Sequence, residues 1–140
     1  MIFLPKLNWP MQLHQIKSLI NLARIDGEIA EKERSYILNI GHANEIKPSE
    51  ILPLFTSSHE EIIPSGMTND QKFKYIFSLV QLMKIDERMY REEIKYCSHV
   101  ASKLGYSEQV MFDLMLHVSE EMGAAEVKAL EELTQKFLKK

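Results

Sequence analysis

IKSLINLARIDGEIAEKE, residues 16 to 33, returns sixty positions later as IFSLVQLMKIDERMYREE, residues 76 to 93. At that offset Ile16 meets Ile76, Ser18 meets Ser78, Leu19 meets Leu79, Leu22 meets Leu82, Ile25 meets Ile85, Asp26 meets Asp86 and Glu33 meets Glu93. Apolar residues recurring at three and four mark one face of a helix. Each copy carries that face into an Asp, breaks, and restarts with a Glu seven residues on. The pattern is a helix-break-helix unit written twice, and two units that bury the same face account for the apolar matches. They do not account for the two matched carboxylates, which become the functional question.

Outward from the repeat, glycine and proline are scarce, β-branched runs are short and apolar residues keep the helical spacing, so the chain reads as all-α. The expected architecture is a bundle of six or seven helices with an internal pseudo-twofold duplication. Repeat 1 covers about 11–55, a loop covers 56–68, repeat 2 covers about 69–121, and a terminal helix covers 123–139. Pro10 suits the first turn of a helix through Ile25, and Gly27 can take the left-handed conformation that ends it. A second helix follows from about Glu31 to Ala43. Pro48 starts a short helix that Pro53 is expected to halt. Thr68 or Asn69 caps the long helix of the second copy, a further helix runs from about Arg91 to Leu104, and Ser107 is expected to cap a Met-rich helix.

Composition narrows the function. The chain has 140 residues, 45% of them apolar, enough for one sizeable core in a single domain. Its net charge of −3 gives no pull toward nucleic acid, and the one basic cluster is the tail of Lys136, Lys139 and Lys140, expected to fray. Cys97 is the only cysteine, so no intramolecular disulfide or cysteine-based zinc site can form and a cytoplasmic home is expected. The opening MIFLPKLNWP lacks the form of a secretion signal, and charges interrupt every apolar stretch well short of a bilayer span.

The string from Asp26 to Glu33 fits D-G-x-I-x-x-x-E, the second half of a calcium-binding EF-hand loop. Its earlier ligand positions would be Leu22 and Arg24, and in the second copy Leu82 and Lys84, with Glu87 where the sharp turn wants glycine. An EF-hand pair is excluded. Two readings of Asp26, Glu33, Asp86 and Glu93 remain. In the first they are structural: each Asp accepts local backbone amides, and each Glu caps the next helix from its third position. That capping is one-sided, because the cap positions are Ala30 and Tyr90. In the second the four carboxylates converge on a divalent cation, which would offset the cost of an Asp at a negative helix end. Oxygen ligands alone favour calcium or magnesium over zinc. Arg24, Lys32, Arg34, Lys84, Arg88, Arg91 and Lys95 lie close by in sequence and can neutralise the carboxylates without a metal, so the structural reading stands ahead.

L-A-x-x-D-G-E-I-x-x-x-E, from Leu22 to Glu33, followed by a related D-x-x-x-x-x-x-E unit in an all-helical chain, resembles the TerB-like domain. That family includes the tellurite-resistance-associated TerB proteins and the amino-terminal domain of DjlA-type co-chaperones. The resemblance spans about Gln12 to Glu121. It implies a non-catalytic helical bundle with the two acidic motifs near each other, tied to metal or oxyanion stress responses, with acidic positions at Asp26, Glu33, Asp86 and Glu93. Glu87, Arg88 and Arg91 depart from the pattern in the second copy.

No catalytic spacing appears. The five glycines are too scattered for a phosphate loop, and no histidine has a Glu three residues before it as a di-iron bundle requires. His59-Glu60-Glu61 lacks the second His of a zincin, and His117 beside Glu120 and Glu121 reads as a surface hydrogen-bonding group. Cys97 aligns with the inward Ile37 and reads as a small buried hydrophobe; Met111, Met115 and Met122 can serve an adaptable peptide-binding groove, but core filling is the reading placed first. The last helix, with Val127, Leu130, Leu133, Phe137 and Leu138, offers bundle closure or a surface for homodimerisation. The expected function is a non-enzymatic TerB-like binding domain, with or without a divalent cation. The alternative is a protein-interaction module, co-chaperone-associated or homodimeric, whose carboxylates are structural.

Overall fold

The computed structural model describes residues 11–25, 27–57, 59–60, 62–85 and 91–139. Among the described residues seven α-helices run in chain order: α1 (Met11–Ala23), α2 (Glu31–Ala43), α3 (Pro48–Ile51), α4 (Asn69–Ile85), α5 (Arg91–Lys103), α6 (Val110–His117) and α7 (Ala124–Thr134). Short 3-10 turns extend α3 over Leu52–Thr56 and α7 over Gln135–Phe137. Among the described residues there is no strand; Tyr106 and Leu138 form an isolated antiparallel bridge.

The two long helices that carry the repeated stripe pair at the centre. On α4 the buried residues are Phe73, Tyr75 through Met83 and Ile85, nearly its whole circumference, as befits a helix covered on all sides. On α1 the fully buried apolar residues include Ile16, Leu19 and Ile20. α2 packs on α1 and also reaches α4; α5 packs on α4 and also reaches α1. α3 closes on α2, α6 on α5 and α4, and α7 on α6.

The interface between α1 and α4 carries polar groups that hold each other. Gln15 Nε2 donates to Ser78 Oγ at 3.0 Å, and Ser18 Oγ lies 2.6 Å from Tyr75 Oη. Adding sixty to Gln15 and subtracting sixty from Ser78 gives Tyr75 and Ser18, the second pair. The same shift relates Tyr36, whose hydroxyl lies 3.4 Å from the Ser78 carbonyl, to Tyr96, whose hydroxyl donates to the Ser18 carbonyl at 3.3 Å. It also relates Asn21, donating to the His59 carbonyl at 3.2 Å, to Gln81, donating to the Ser119 carbonyl at 3.0 Å. A buried hydroxyl or amide without a partner costs about 1–3 kcal/mol, so these pairs fix how the helices meet.

Local chemistry explains most boundaries. Gly27 has φ +102° and returns its N–H to the Arg24 carbonyl at 2.9 Å, the left-handed stop expected after α1. Thr68 makes a full capping box at the head of α4: its hydroxyl accepts the Gln71 N–H at 3.2 Å, and the Gln71 side chain accepts its N–H at 2.9 Å. The α-helix begun at Pro48 ends at Ile51, near Pro53 as expected, and the chain continues as a 3-10 stretch with Pro53 in its opening turn, where its missing N–H costs nothing. One expected cap needs correction. Ser107 does not cap α6, which begins at Val110 with no side-chain cap; the Ser107 N–H goes instead to the Phe137 carbonyl at 2.7 Å. The same contact, with the Lys139 N–H on the Gly105 carbonyl at 2.7 Å, pins the tail at Lys139 that was expected to fray. The Pro10 helix start lies outside the described residues.

Candidate functional site

Glu33 is the third residue of α2 and only 3% exposed, and its Oε1 accepts the Ala30 N–H at 3.1 Å. Ala30 has no side-chain acceptor to answer with, so the cap is one-sided, as its sequence requires. Glu93 holds the matching place in α5 and is also 3% exposed. It lies near Cys97, whose thiol is pushed up by burial first and by the Glu93 charge second, leaving a neutral and poorly nucleophilic sulfur. Asp26 and Asp86 lie outside the described residues. Among the described residues no three His, Cys, Asp or Glu side chains gather as a metal-holding group. The described carboxylates of the motif are two, against the six to eight oxygens calcium takes.

The other polar residues singled out in the sequence are spoken for locally. His59 Nε2 lies 2.8 Å from the Leu54 carbonyl, and His117 Nδ1 lies 2.9 Å from the Asp113 carbonyl one turn back in its own helix. Tyr36 Oη finds its main acceptor in Gln81 Oε1 at 2.6 Å, and burial pushes the phenol well above its ordinary pKa, so it stays a neutral donor. On the terminal helix Val127 and Leu130 are core, Phe137 and Leu138 pack against it, and Leu133 alone of the five is well exposed.

α6 carries two exposed residues that the sequence pattern did not single out. Phe112 is 83% exposed and Leu116, one turn on, is 75% exposed. They flank a groove of about 930 Å³ between α5 and α6, to which α5 contributes Ile94 and Ser98. Met111 and Met115 form its floor, and Glu108 and Asp113 are its charged lining residues. Met111 is core, as expected; Met115 is only partly buried and lines the groove as well. The missed signal was in VMFDLMLH itself: six apolar residues in eight cover the helix all round, more than one buried face can use. A smaller cleft of about 350 Å³ lies between α2 and the end of α4, lined by Glu31, Lys32, Tyr36 and Glu120 among others.

No helix among the described residues is long and apolar enough to cross a membrane. No protein-family model, curated protein or solved structure matches the chain.

Proposed function

We propose that this chain is a duplicated, TerB-like, non-enzymatic binding domain of the bacterial cytoplasm, serving a stress response by docking a protein on its α5–α6 face. The exposed pair Phe112 and Leu116 beside an open groove carries the proposal, because contiguous exposed apolar surface of this kind marks interaction sites. The duplication is supported by the hydrogen-bond pairs that exchange under a shift of sixty. The non-enzymatic reading is supported by the commitment of the buried polar groups Tyr36, Ser78 and Gln81 to one another and to backbone. A photo-crosslinking residue placed at Leu116 in bacterial cells should give a discrete protein adduct. Adducts no different from those at exposed Glu132 would remove the α6 face as the working surface.

A divalent cation at the acidic motif is the second reading. It is favoured by the burial of both Glu33 and Glu93, each 3% exposed and each seven residues after an Asp in the sequence. Thermal melts with millimolar calcium, magnesium, manganese or zinc test it, repeated on Asp26→Asn. An ion at ~100 times its dissociation constant adds ~2.7 kcal/mol. Melts indifferent to all four ions leave the carboxylates purely structural.

A further inference from the structure

We infer that the occupant of the α5–α6 groove is a short amphipathic helix carrying lysine or arginine beside its apolar stripe. The inference deepens the proposed function and rests on it. Both walls of the groove are helices, and α6, eight residues long, gives it a length of about 12 Å, roughly two turns. That length suits the i, i+3, i+4, i+7 anchors of a docked helix. No strand edge is present among the described residues to recruit an extended peptide. The methionines on the floor suit a seat that adapts to branched and aromatic anchors.

The charge of the occupant follows from two observations. First, the charged residues lining the groove, Glu108 and Asp113, are both carboxylates, and the nearby Lys84 ammonium is bound to the Met115 carbonyl. Cations on an incoming helix therefore meet partners of opposite charge on the rim, where charge governs encounter and selectivity. Second, the place sixty residues earlier sets a cation against an apolar ring. Ile94 and Met115 correspond to Arg34 and Phe55, and in the first half the Arg34 guanidinium lies 4.9 Å from the centre of the Phe55 ring. The first half seats a cation on its own aromatic ring at this place; the second has an aliphatic Ile94 in place of that arginine, and Phe112 is 83% exposed where its counterpart Leu52 is 47% exposed.

Three synthetic amphipathic helices of about 18 residues, long enough to hold structure in water, serve as probes. They share one leucine stripe and carry lysine, glutamate or glutamine on the polar face. Fluorescence anisotropy with the full chain should show the lysine helix binding about tenfold or more tighter than the glutamine helix, with the glutamate helix weakest, and the preference should shrink with salt. Phe112→Ser with Leu116→Ser, which leaves charge unchanged, should abolish binding without lowering the melting temperature. Glu108→Gln with Asp113→Asn should keep binding and lose the charge preference. Equal binding of all three helices, or tighter binding of the glutamate helix, with loss on the serine double variant, would overturn the basic occupant while keeping the docking face. No binding of any helix overturns the inference. If sedimentation then shows self-association that the serine double variant removes, the occupant is a second copy; if it shows none, the docking face falls as well.

Discussion

Phe55 closes the third segment of the first half and is 6% exposed beneath Arg34; Phe112, in the corresponding segment of the second half, is 83% exposed. Between them the interiors agree closely. Ile37, Ile40 and Ile51 answer Cys97, Val100 and Met111, all buried, and the polar pairs across α1 and α4 exchange one for one. Interior positions are constrained by packing that both halves share, since they face each other across one core. Rim positions carry no such constraint. Two halves that match in sequence are thus free to differ at the rim, where Phe112 is 83% exposed and Leu52, sixty residues earlier, is 47% exposed.

The sharpest way to break this contrast is to empty the two aromatic positions. Phe55→Ala should cost about 3–5 kcal/mol in urea unfolding, as a buried aromatic does, while Phe112→Ser should stay within about 0.5 kcal/mol of the parent. Comparable losses would mean that Phe112 is held by the fold and the rims are not different. A second contrast tests the interior. Tyr36→Phe strands Gln81 Oε1 in the core and should cost about 1–3 kcal/mol. Tyr96→Phe removes one longer bond from a partly buried hydroxyl and should cost about 0.5–1.5 kcal/mol. Equal costs would show the two tyrosines to be more alike than their acceptors suggest.

The third contrast concerns a turn, and it shows what the sequence displayed and what it hid. The chain leaves α2 through Glu45 at φ +62° and leaves α5 through Gly105 at φ +99°. Gly105→Ala should cost about 1–2 kcal/mol. Glu45→Gly should change stability by less than about 1 kcal/mol, relief of the left-handed side chain being set against the greater freedom of the unfolded glycine. Periodicity displayed the helices well: α2 runs from Glu31 to Ala43, and Gly27 makes the left-handed stop that its residue type implied. The Glu45 turn was hidden because glutamate is no turn signal. The polar seam was half visible, since Ser18 and Ser78 stand matched inside an apolar stripe; their partners Tyr75 and Gln15 come from the opposite helix, and no periodicity within one helix reports on another. The start of α6 was misplaced for a similar reason, because the Ser107 N–H is taken by Phe137, thirty positions away. Of the candidate site, Glu33 and Glu93 could be foreseen as helix-starting carboxylates, but their burial depends on how α2 and α5 pack. Phe112 and Leu116 belong to the rim, where exposure is decided by what the fold leaves uncovered.

The smallest effect is expected where the second half meets α7, an element with no equivalent in the first. Asp70, at the start of α4, bonds Lys74 at 2.9 Å and faces Glu131 of α7. Glu131 is held above the usual carboxylate range by partial burial first and by the Asp70 charge second, while the Lys74 hydrogen bond holds Asp70 below it. The signs oppose each other. The raised Glu131 favours the folded state below its unfolded pKa near 4.5, and that contribution is lost as pH rises through its folded value. The lowered Asp70 favours the folded state above 3.8, and that contribution is lost as pH falls through its folded value. At neutral pH an ionised Glu131 therefore loosens the seat of α7 slightly, by an amount that solvent screening keeps small. Glu131→Gln should melt marginally higher than the parent at pH 7, and the difference should vanish as the pH is lowered through the Glu131 range. Asp70→Asn should show the reverse order at pH 7, because Lys74 loses its partner. A Glu131→Gln variant that melts lower at pH 7 would mean that the carboxylate is drawn to Lys74 and Lys128 more strongly than it is repelled by Asp70, and that α7 is fastened to the second half by charge as well as by Val127 and Leu130.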